Sequence, residues 1–294
     1  MRVGFVGLGA MGVPMACRML QAGHGVVGFD VRAGAAGPLV AAGGSSAASA
    51  AAAAHDAELL WLMVVSGEQA EAVLFDAGAA AALPPGAIVV AACTQAPAMA
   101  CQLSKRLAAM NLAMLDAPVS GGVSGASAGT LTIMCSGDES VIERARGVLQ
   151  AVGRRIFDVG REAGMGSSAK MINQLLCGVH IAAAAEAMHV AERAGLALPT
   201  VHEIIGTSAG NSWMWGDRGP RMMMDDPPVA SAVDIYVKDL GIVLDQGRQA
   251  RQGLPLAAAA MQMFLAASGL GHGAADDSQV IRAYRALNGG DAKS

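Results

Sequence analysis

The chain has 294 residues, 53% of them hydrophobic and 15% charged, more than one ordinary core takes up, so two domains with a large buried interior are expected. A formal net charge of -4 with no clustered run of lysine and arginine excludes a general basic surface, and nucleic acid is not an expected partner. The five cysteines are scattered without Cys-x-x-Cys or zinc-ligand spacing, the N-terminus enters an apolar strand directly, and no uninterrupted apolar run reaches membrane-spanning length. These features predict a cytoplasmic protein with core-type cysteines, no metal site, no signal peptide and no membrane partner.

Residues 3–6 form a short apolar strand, followed at once by Gly7-Leu8-Gly9-Ala10-Met11-Gly12 and a helical pattern over 13–22. In a strand-turn-helix setting the first glycine permits a tight turn, the second lets a pyrophosphate approach closely, and the third lets helix pack on strand, with the helix N-terminus supplying amide donors. The alternative is a plain tight turn. A second strand over 26–29 runs into Asp30-Val31-Arg32, and Asp30 lies at the spacing of the acid that hydrogen-bonds the adenosine ribose. Its carboxylate would repel a 2′-phosphate, which favours NAD, although Arg32 could attract one and leaves NADP as the lesser choice.

The alanine-serine tract 45–54 reads as a helix covering the sheet, with no chemistry assigned. A buried strand over 59–65 would bring Val64, Val65 and Ser66 to the carboxyl edge, where cofactors lie in doubly wound sheets, and Met63 and Val64 are the cofactor candidates there. The next strand, 87–91, leads to Thr94, which is placed to meet the nicotinamide ribose. Both stretches equally read as ordinary strand ends. After a strand over 112–115 comes a glycine- and hydroxyl-rich stretch, 116–130, read as one long loop in which Ser120 and the backbone of Gly121 and Gly122 could wrap a carboxylate. A strand over 131–135, a helix over 139–151 and a strand over 156–159 complete the first domain.

The segment 160–166 marks a boundary, beyond which the pattern is helical. A long helix over 167–194 carries Lys170, Asn173 and Gln174 at i, i+3 and i+4, which sets an ammonium and two amides on one face. A solvated lysine is the bland reading of Lys170. Further helices are expected over 199–208, 213–225, 231–251, 255–268 and 276–287. Taken alone, Lys238 of the Lys238-Asp239 pair reads as a solvated charge and Trp213 as core.

With the glycine turn, the Asp-Ala-Pro-Val-Ser-Gly-Gly stretch at 116–122, the Gly-x-x-x-Lys-x-x-Asn helix at 166–173 and the later Lys-Asp in this order, the chain resembles the 3-hydroxyisobutyrate (β-hydroxyacid) dehydrogenase family along nearly its whole length. Within that family, 209–214 and 231–241 look most like the L-threonate dehydrogenase branch. The resemblance implies an α/β Rossmann N-terminal domain, 1–162, and an all-α C-terminal domain, 163–294, that commonly mediates homodimers or homotetramers. It implies NAD-dependent oxidation of a small hydroxy acid, with L-threonate at C2 as first choice and 3-hydroxyisobutyrate or tartronate semialdehyde chemistry as the alternative. Lys170 matches the catalytic lysine, Asn173 a substrate amide, Ser120, Gly121 and Gly122 the carboxylate loop, and Val64, Thr94 and Lys238 cofactor-side contacts. Gln174, where many relatives carry a second Asn, would bear on substrate choice; Arg18, where Asn is usual, and Val64-Val65, where a proline often follows, would bear on cofactor pose. Lysine titrates near ~10.4 when free, so service as a base near neutrality calls for desolvation and a second cation such as Lys238. A non-catalytic dinucleotide sensor is the rival of another class, and retention of Lys170, Asn173 and Ser120 argues against it.

Overall fold

The computed structural model describes residues 1–289. The chain divides into two compact units, Met1–Lys170 and the residues from Met171 onward.

In the first unit nine strands form one sheet among the described residues: β1 (Arg2–Val6), β2 (Gly25–Phe29), β3 (Ser45–Ser46), β4 (Leu59–Leu62), β5 (Ile88–Ala91), β6 (Ala113–Asp116), β7 (Val119–Ser120), β8 (Leu131–Ser136) and β9 (Gly153–Gly160). The order β3-β2-β1-β4-β5-β6 is parallel throughout, and its direction reverses between β1 and β4, the switch point where doubly wound sheets open a crevice for dinucleotides. Beyond β6 the sheet turns mixed: β8 runs antiparallel to β6 and β7, and β9 lies parallel to β8.

Helices α1 (Gly12–Gln21), α2 (Gly37–Ala41), α3 (Ala50–Ala54), α4 (Gly67–Glu71), α5 (Ala79–Ala82), α6 (Pro97–Ala108), α7 (Gly122–Ala128) and α8 (Glu139–Val152) accompany the strands. Strand alternation separates two cores. Val3 and Phe5 of β1 join α1 and α8 on one face, where Phe5 stacks on Trp61 with ring centroids 6.3 Å apart. Val6, Leu60 and Leu62 pack on the other face with the alanines of α3 and α5 and the leucines of α6. Every residue of β4 and β5 is buried, as expected of parallel strands covered on both sides.

The structure corrects two expectations in this unit. The tract 45–54 is a helix only from Ala50; Ser45–Ser46 extends the sheet beside β2, and Ser49 caps α3 by accepting the Ala52 N–H. The stretch 116–130 is not one loop but β7 followed by α7. Gly121 and Gly122 take φ of 132° and 62° to make the turn, and Gly129, at φ 68°, ends the helix.

The second unit is helical: most of α9 (Met165–Arg193), then α10 (Leu198–Gly206), α11 (Trp213–Met222), α12 (Val233–Gln249), α13 (Pro255–Ala267) and α14 (Ile281–Leu287). Its core gathers Ile181, Ala185 and Met188 of α9 with Trp215, Tyr236 and Phe264. Each such large side chain, fully buried, stabilises by roughly 1.5–3 kcal/mol. Trp213, expected in the core, is instead 60% exposed, with the Arg218 guanidinium 6.0 Å from its ring; Trp215 is the buried tryptophan. Among the described residues α9 is the one helix long and apolar enough to cross a bilayer by length and composition. Its 29-residue length brings it to that threshold, not an unbroken apolar run, since Lys170, Glu186 and His189 interrupt it.

Candidate functional site: a dinucleotide crevice and the face of helix α9

The turn after β1 is a cradle that only glycine fits. A Cβ on Gly7, which sits at φ 99°, would lie 2.4 Å from the Met63 carbonyl oxygen, and one on Gly12 would lie 1.8 Å from the Gly7 carbonyl oxygen. The backbone therefore packs α1 directly on the end of β1, and the carboxyl end of β4, with the half-buried Met63 and Val64, lies against the same turn. The Gly9 and Ala10 backbone lies at the turn's outer side, with Leu8 buried beneath it and Met11 leading into α1.

Asp30, one residue past β2, holds this turn. Its Oδ2 accepts the Leu8 N–H at 2.8 Å and its Oδ1 accepts the Arg32 N–H at 2.9 Å. Arg32 folds back, donating from Nε to Asp30 at 3.1 Å and from Nη2 to the Leu8 carbonyl at 3.1 Å. Burial pushes the Asp30 carboxyl up, but the bonds from Arg32 and Leu8 outweigh it and hold the group below its ordinary range. Val31 between them is 89% exposed. Thr94 is half-buried just beyond β5, and Ser66 caps α4 by accepting the Gln69 N–H at 3.3 Å, an ordinary strand-end role.

Arg18 is placed by the structure toward α7, not toward the glycine turn. A Cβ on Gly129 would lie 2.7 Å from its Nε, so the guanidinium packs on the C-terminal end of that helix. Ser120 closes β7 and Gly121 and Gly122 open α7 directly after it.

Lys170 lies on α9, and the start of that helix is bolted to the sheet. Asp116 closes β6, fully buried, and its Oδ2 accepts the N–H groups of Gly164 at 2.9 Å and Ser167 at 2.7 Å, while its Oδ1 accepts the Ser167 hydroxyl at 2.7 Å. The Gly166 N–H goes to the buried Ser136 hydroxyl at 3.0 Å. These are donors that every helix leaves orphaned in its first turn. Gly166 itself presses on the sheet: a Cβ there would lie 2.3 Å from the Asp116 carbonyl oxygen and 2.6 Å from that of Met134. Burial pushes the Asp116 carboxyl up, against the hydrogen bonds from Ser167 and Gly164. Four residues after Asp116 comes Ser120; three residues after Ser167 comes Lys170, 7% exposed.

In the second unit Asn173, Gln174 and Lys238 meet in one chain of polar contacts. Asn173 donates from Nδ2 to the Gln174 carbonyl at 3.0 Å and to Cys177 Sγ at 3.3 Å. Gln174 donates from Nε2 to Asp239 Oδ2, and the Lys238 ammonium lies 2.6 Å from Asp239 Oδ1. Asp239 and Gln174 are 2% and 7% exposed. Asp116 and Asp239 stand inside the Asp-Ala-Pro-Val-Ser-Gly-Gly and Lys-Asp motifs, but the sequence assigns neither of them a role, since the partners each one holds lie far away in the chain.

A sheet switch point with a glycine turn and an acid after the second strand, in a chain that carries a buried lysine on a sheet-anchored helix, is the arrangement of a nicotinamide-dinucleotide dehydrogenase. Residues 2–160 match the family described as the NAD binding domain of 6-phosphogluconate dehydrogenase, and residues 164–284 match the NAD-binding family of NADP-dependent 3-hydroxyisobutyrate dehydrogenase. The chain belongs to the 3-hydroxyisobutyrate dehydrogenase family, oxidoreductases that act on a CH–OH group with NAD(P). Over 283 residues it is 47% identical to an L-threonate dehydrogenase of Cupriavidus necator, covering 96% of this chain and 95% of that one. It is 42% identical to an L-threonate dehydrogenase of Escherichia coli K12, covering 99% and 97%. A crystal structure of a 3-hydroxyisobutyrate dehydrogenase from Salmonella typhimurium superposes with a TM-score of 0.92 at 44% identity, covering 96% of this chain and 99% of that one.

Proposed function

We propose that this chain oxidises a small hydroxy acid with NAD, L-threonate at C2 to the 2-oxo acid being the first choice of substrate. The observation that carries the reading is the Asp116 anchor: one buried carboxylate fixes both the strand that leads to Ser120 and the helix turn that leads to Lys170. The relatives named for L-threonate support the substrate. A second reading, 3-hydroxyisobutyrate oxidation, is favoured by the name of the 44%-identical crystal structure.

The residues present suit NAD. Gly7 and Gly12 let the turn close and α1 pack on β1, Gly9 leaves its outer side open to a pyrophosphate over the α1 N-terminus, and Asp30 offers a carboxylate to ribose hydroxyls; we assign Val31, Arg32, Met63, Val64, Thr94 and Lys238 as further contacts. When bound, the cofactor supplies the hydride acceptor. Lys170 takes the proton of the substrate hydroxyl during oxidation, and its ammonium returns one in reduction. The Ser120 hydroxyl and the N–H groups of Gly121 and Gly122 hold the carboxylate and so choose the carbon presented for reaction, while the Asn173 amide helps hold the substrate. We assign the cofactor domain to 1–162 and the dehydrogenase and oligomerisation domain to 163–294. Exposed Ile172, Leu176 and Val190 on α9, 60%, 49% and 61% accessible, support a homodimer or homotetramer. The five free cysteines suit a reducing cytoplasm.

Measuring NADH formation at 340 nm tests this reading, with NAD or NADP and a panel of L-threonate, D-erythronate, 3-hydroxyisobutyrate, glycerate and serine, and with Lys170→Ala alongside. Turnover of L-threonate that Lys170→Ala abolishes, with NADH affinity kept, is the expected result. Activity confined to 3-hydroxyisobutyrate would select the second reading, and equal loss of turnover and NADH binding in the variant would remove Lys170 from the chemistry.

A further inference from the structure

We infer that Gln174 is a positioning residue that turns the Asn173 amide so that it meets the substrate as a hydrogen-bond acceptor, a role that rests on the dehydrogenase reading above and specifies the group the substrate must offer there. Asp239 sets the direction of the whole chain of contacts. A carboxylate held against the Lys238 ammonium at 2.6 Å accepts hydrogen bonds and donates none, so the Gln174 atom on its Oδ2 has to be the Nε2 amide nitrogen. That leaves the Gln174 carbonyl oxygen facing Asn173. The group Asn173 presents to it must then be Nδ2, found at 3.0 Å. Its second N–H is directed to Cys177 Sγ, one helical turn on, at 3.3 Å. Both donors of Asn173 are therefore committed inside the protein, and the atom turned the other way is the carbonyl oxygen.

The reach from α9 to α12 is built into the backbone. Gly178 lies one turn after Gln174, and a Cβ there would fall 2.9 Å from Leu240, the neighbour of Asp239. The two helices approach closely at that point, and the glutamine spans the gap to Asp239, whereas an asparagine is one methylene shorter. The chemical consequence is a requirement on the substrate. An amide carbonyl accepts from a donor and repels a carboxylate or a keto oxygen, so the group that a hydroxy acid sets beside Asn173 is an alcohol other than the one being oxidised. Acids with an additional hydroxyl on the carbon chain are thereby preferred over their deoxy counterparts. A site built to accept from a hydroxyl leaves a buried acceptor unpaired when that hydroxyl is missing.

The experiment compares wild type with Gln174→Met, which keeps length and loses the amide, and Gln174→Asn, which keeps the amide and loses reach. The full chain is assayed with NAD on L-threonate and on 2-hydroxybutyrate, which lacks the C3 and C4 hydroxyls, and NADH affinity is titrated in parallel. The expected result is a fall of about 10- to 100-fold in kcat/KM for L-threonate in both variants, little change for 2-hydroxybutyrate, and unchanged NADH affinity. Equal losses on both substrates, or an unaltered preference between them, would overturn the proposal. If wild type turns over neither acid, the substrate reading fails on its own, and side-chain amide spectra of 15N-labelled protein decide the geometry. The Asn173 amide protons should shift and exchange faster in Gln174→Met; no change in them would sink the inference.

Discussion

Asp116 and Ser167 are joined twice: the carboxylate accepts both the backbone N–H and the hydroxyl of the serine, each at 2.7 Å. Asp116→Ala would strand three buried donors, the N–H groups of Gly164 and Ser167 and the Ser167 hydroxyl. At roughly 1–3 kcal/mol for each unsatisfied group, the variant should lose several kcal/mol in urea unfolding of the first unit. The milder Ser136→Ala removes one acceptor, for Gly166, and should cost about 1–3 kcal/mol. Turnover should fall more than NADH affinity in both, since the disturbed turn is the one that carries Lys170. A variant with full kcat and lowered stability would show the anchor to be structural only.

Asp30 and Asp116 pull the acid stability profile in opposite directions. Asp30 titrates below its ordinary range in the folded chain, so its contribution is present above the unfolded value near ~3.9 and is lost as pH falls through the folded one. Asp116 titrates above its ordinary range, so its contribution is full below that unfolded value and declines as pH rises through the folded one. Unfolding free energies measured across the acid range should show Asp30→Asn flattening the limb below about pH 4, and Asp116→Asn flattening the change above it. Parallel profiles for the two variants would contradict the assignment.

Cofactor binding should be sensitive to one methyl group. Gly12→Ala places a carbon 1.8 Å from the Gly7 carbonyl oxygen, an overlap that only displacement of α1 relieves. Fluorescence titration should show NADH affinity lowered by at least ~10-fold, in keeping with the glycine's packing role. Asp30→Ser, which keeps Arg32 and removes the carboxylate, should raise the NADP to NAD ratio of kcat/KM by a comparable factor; an unchanged ratio would mean that Asp30 serves the turn and not the ribose.

The helical unit has its own buried charge pair. Arg218 donates from Nε and Nη2 to the two oxygens of Asp277, both bonds 2.8 Å, and Asp277 is fully buried. Asp277→Ala removes the buried one of Arg218's two carboxylate partners and leaves only the part-exposed Asp217, so it should cost less than the about 3–5 kcal/mol of a fully stranded buried charge, and Arg218→Met with Asp277→Leu should cost less than the single change. Chemical denaturation of the three variants supplies the comparison. A double variant weaker than Asp277→Ala would show that the pair contributes more than an apolar replacement can.

Legibility in the sequence follows the range of the interaction. Gly7, Gly9, Gly12 and Asp30 are readable because the demands on them are local: a turn, a close approach, a fixed spacing after a strand. The stretch 116–130 reads as loop because glycine and serine dominate it, yet two positive-φ glycines are enough to turn the chain from β7 into α7. The short helices α4 and α5 are too brief to show a period, whereas α6 does carry one, with Ala100, Leu103 and Leu107 buried at i, i+3 and i+7. Asp116 and Gln174 act through partners 51 and 65 residues away, and no local pattern carries such a pairing.

Helix α3 is five alanines in a row, but they do not share one environment. Ala50, Ala53 and Ala54 are at most 1% exposed, and the Ala53 carbonyl oxygen lies 2.4 Å from where a Cβ on Gly4 would be, while Ala52 is exposed. Five identical letters therefore carry unequal selective weight. Under random mutation Ala52 should drift freely toward polar residues, while Gly4 stays glycine because the α3 backbone lies against it, and Ala53 stays small because it is buried.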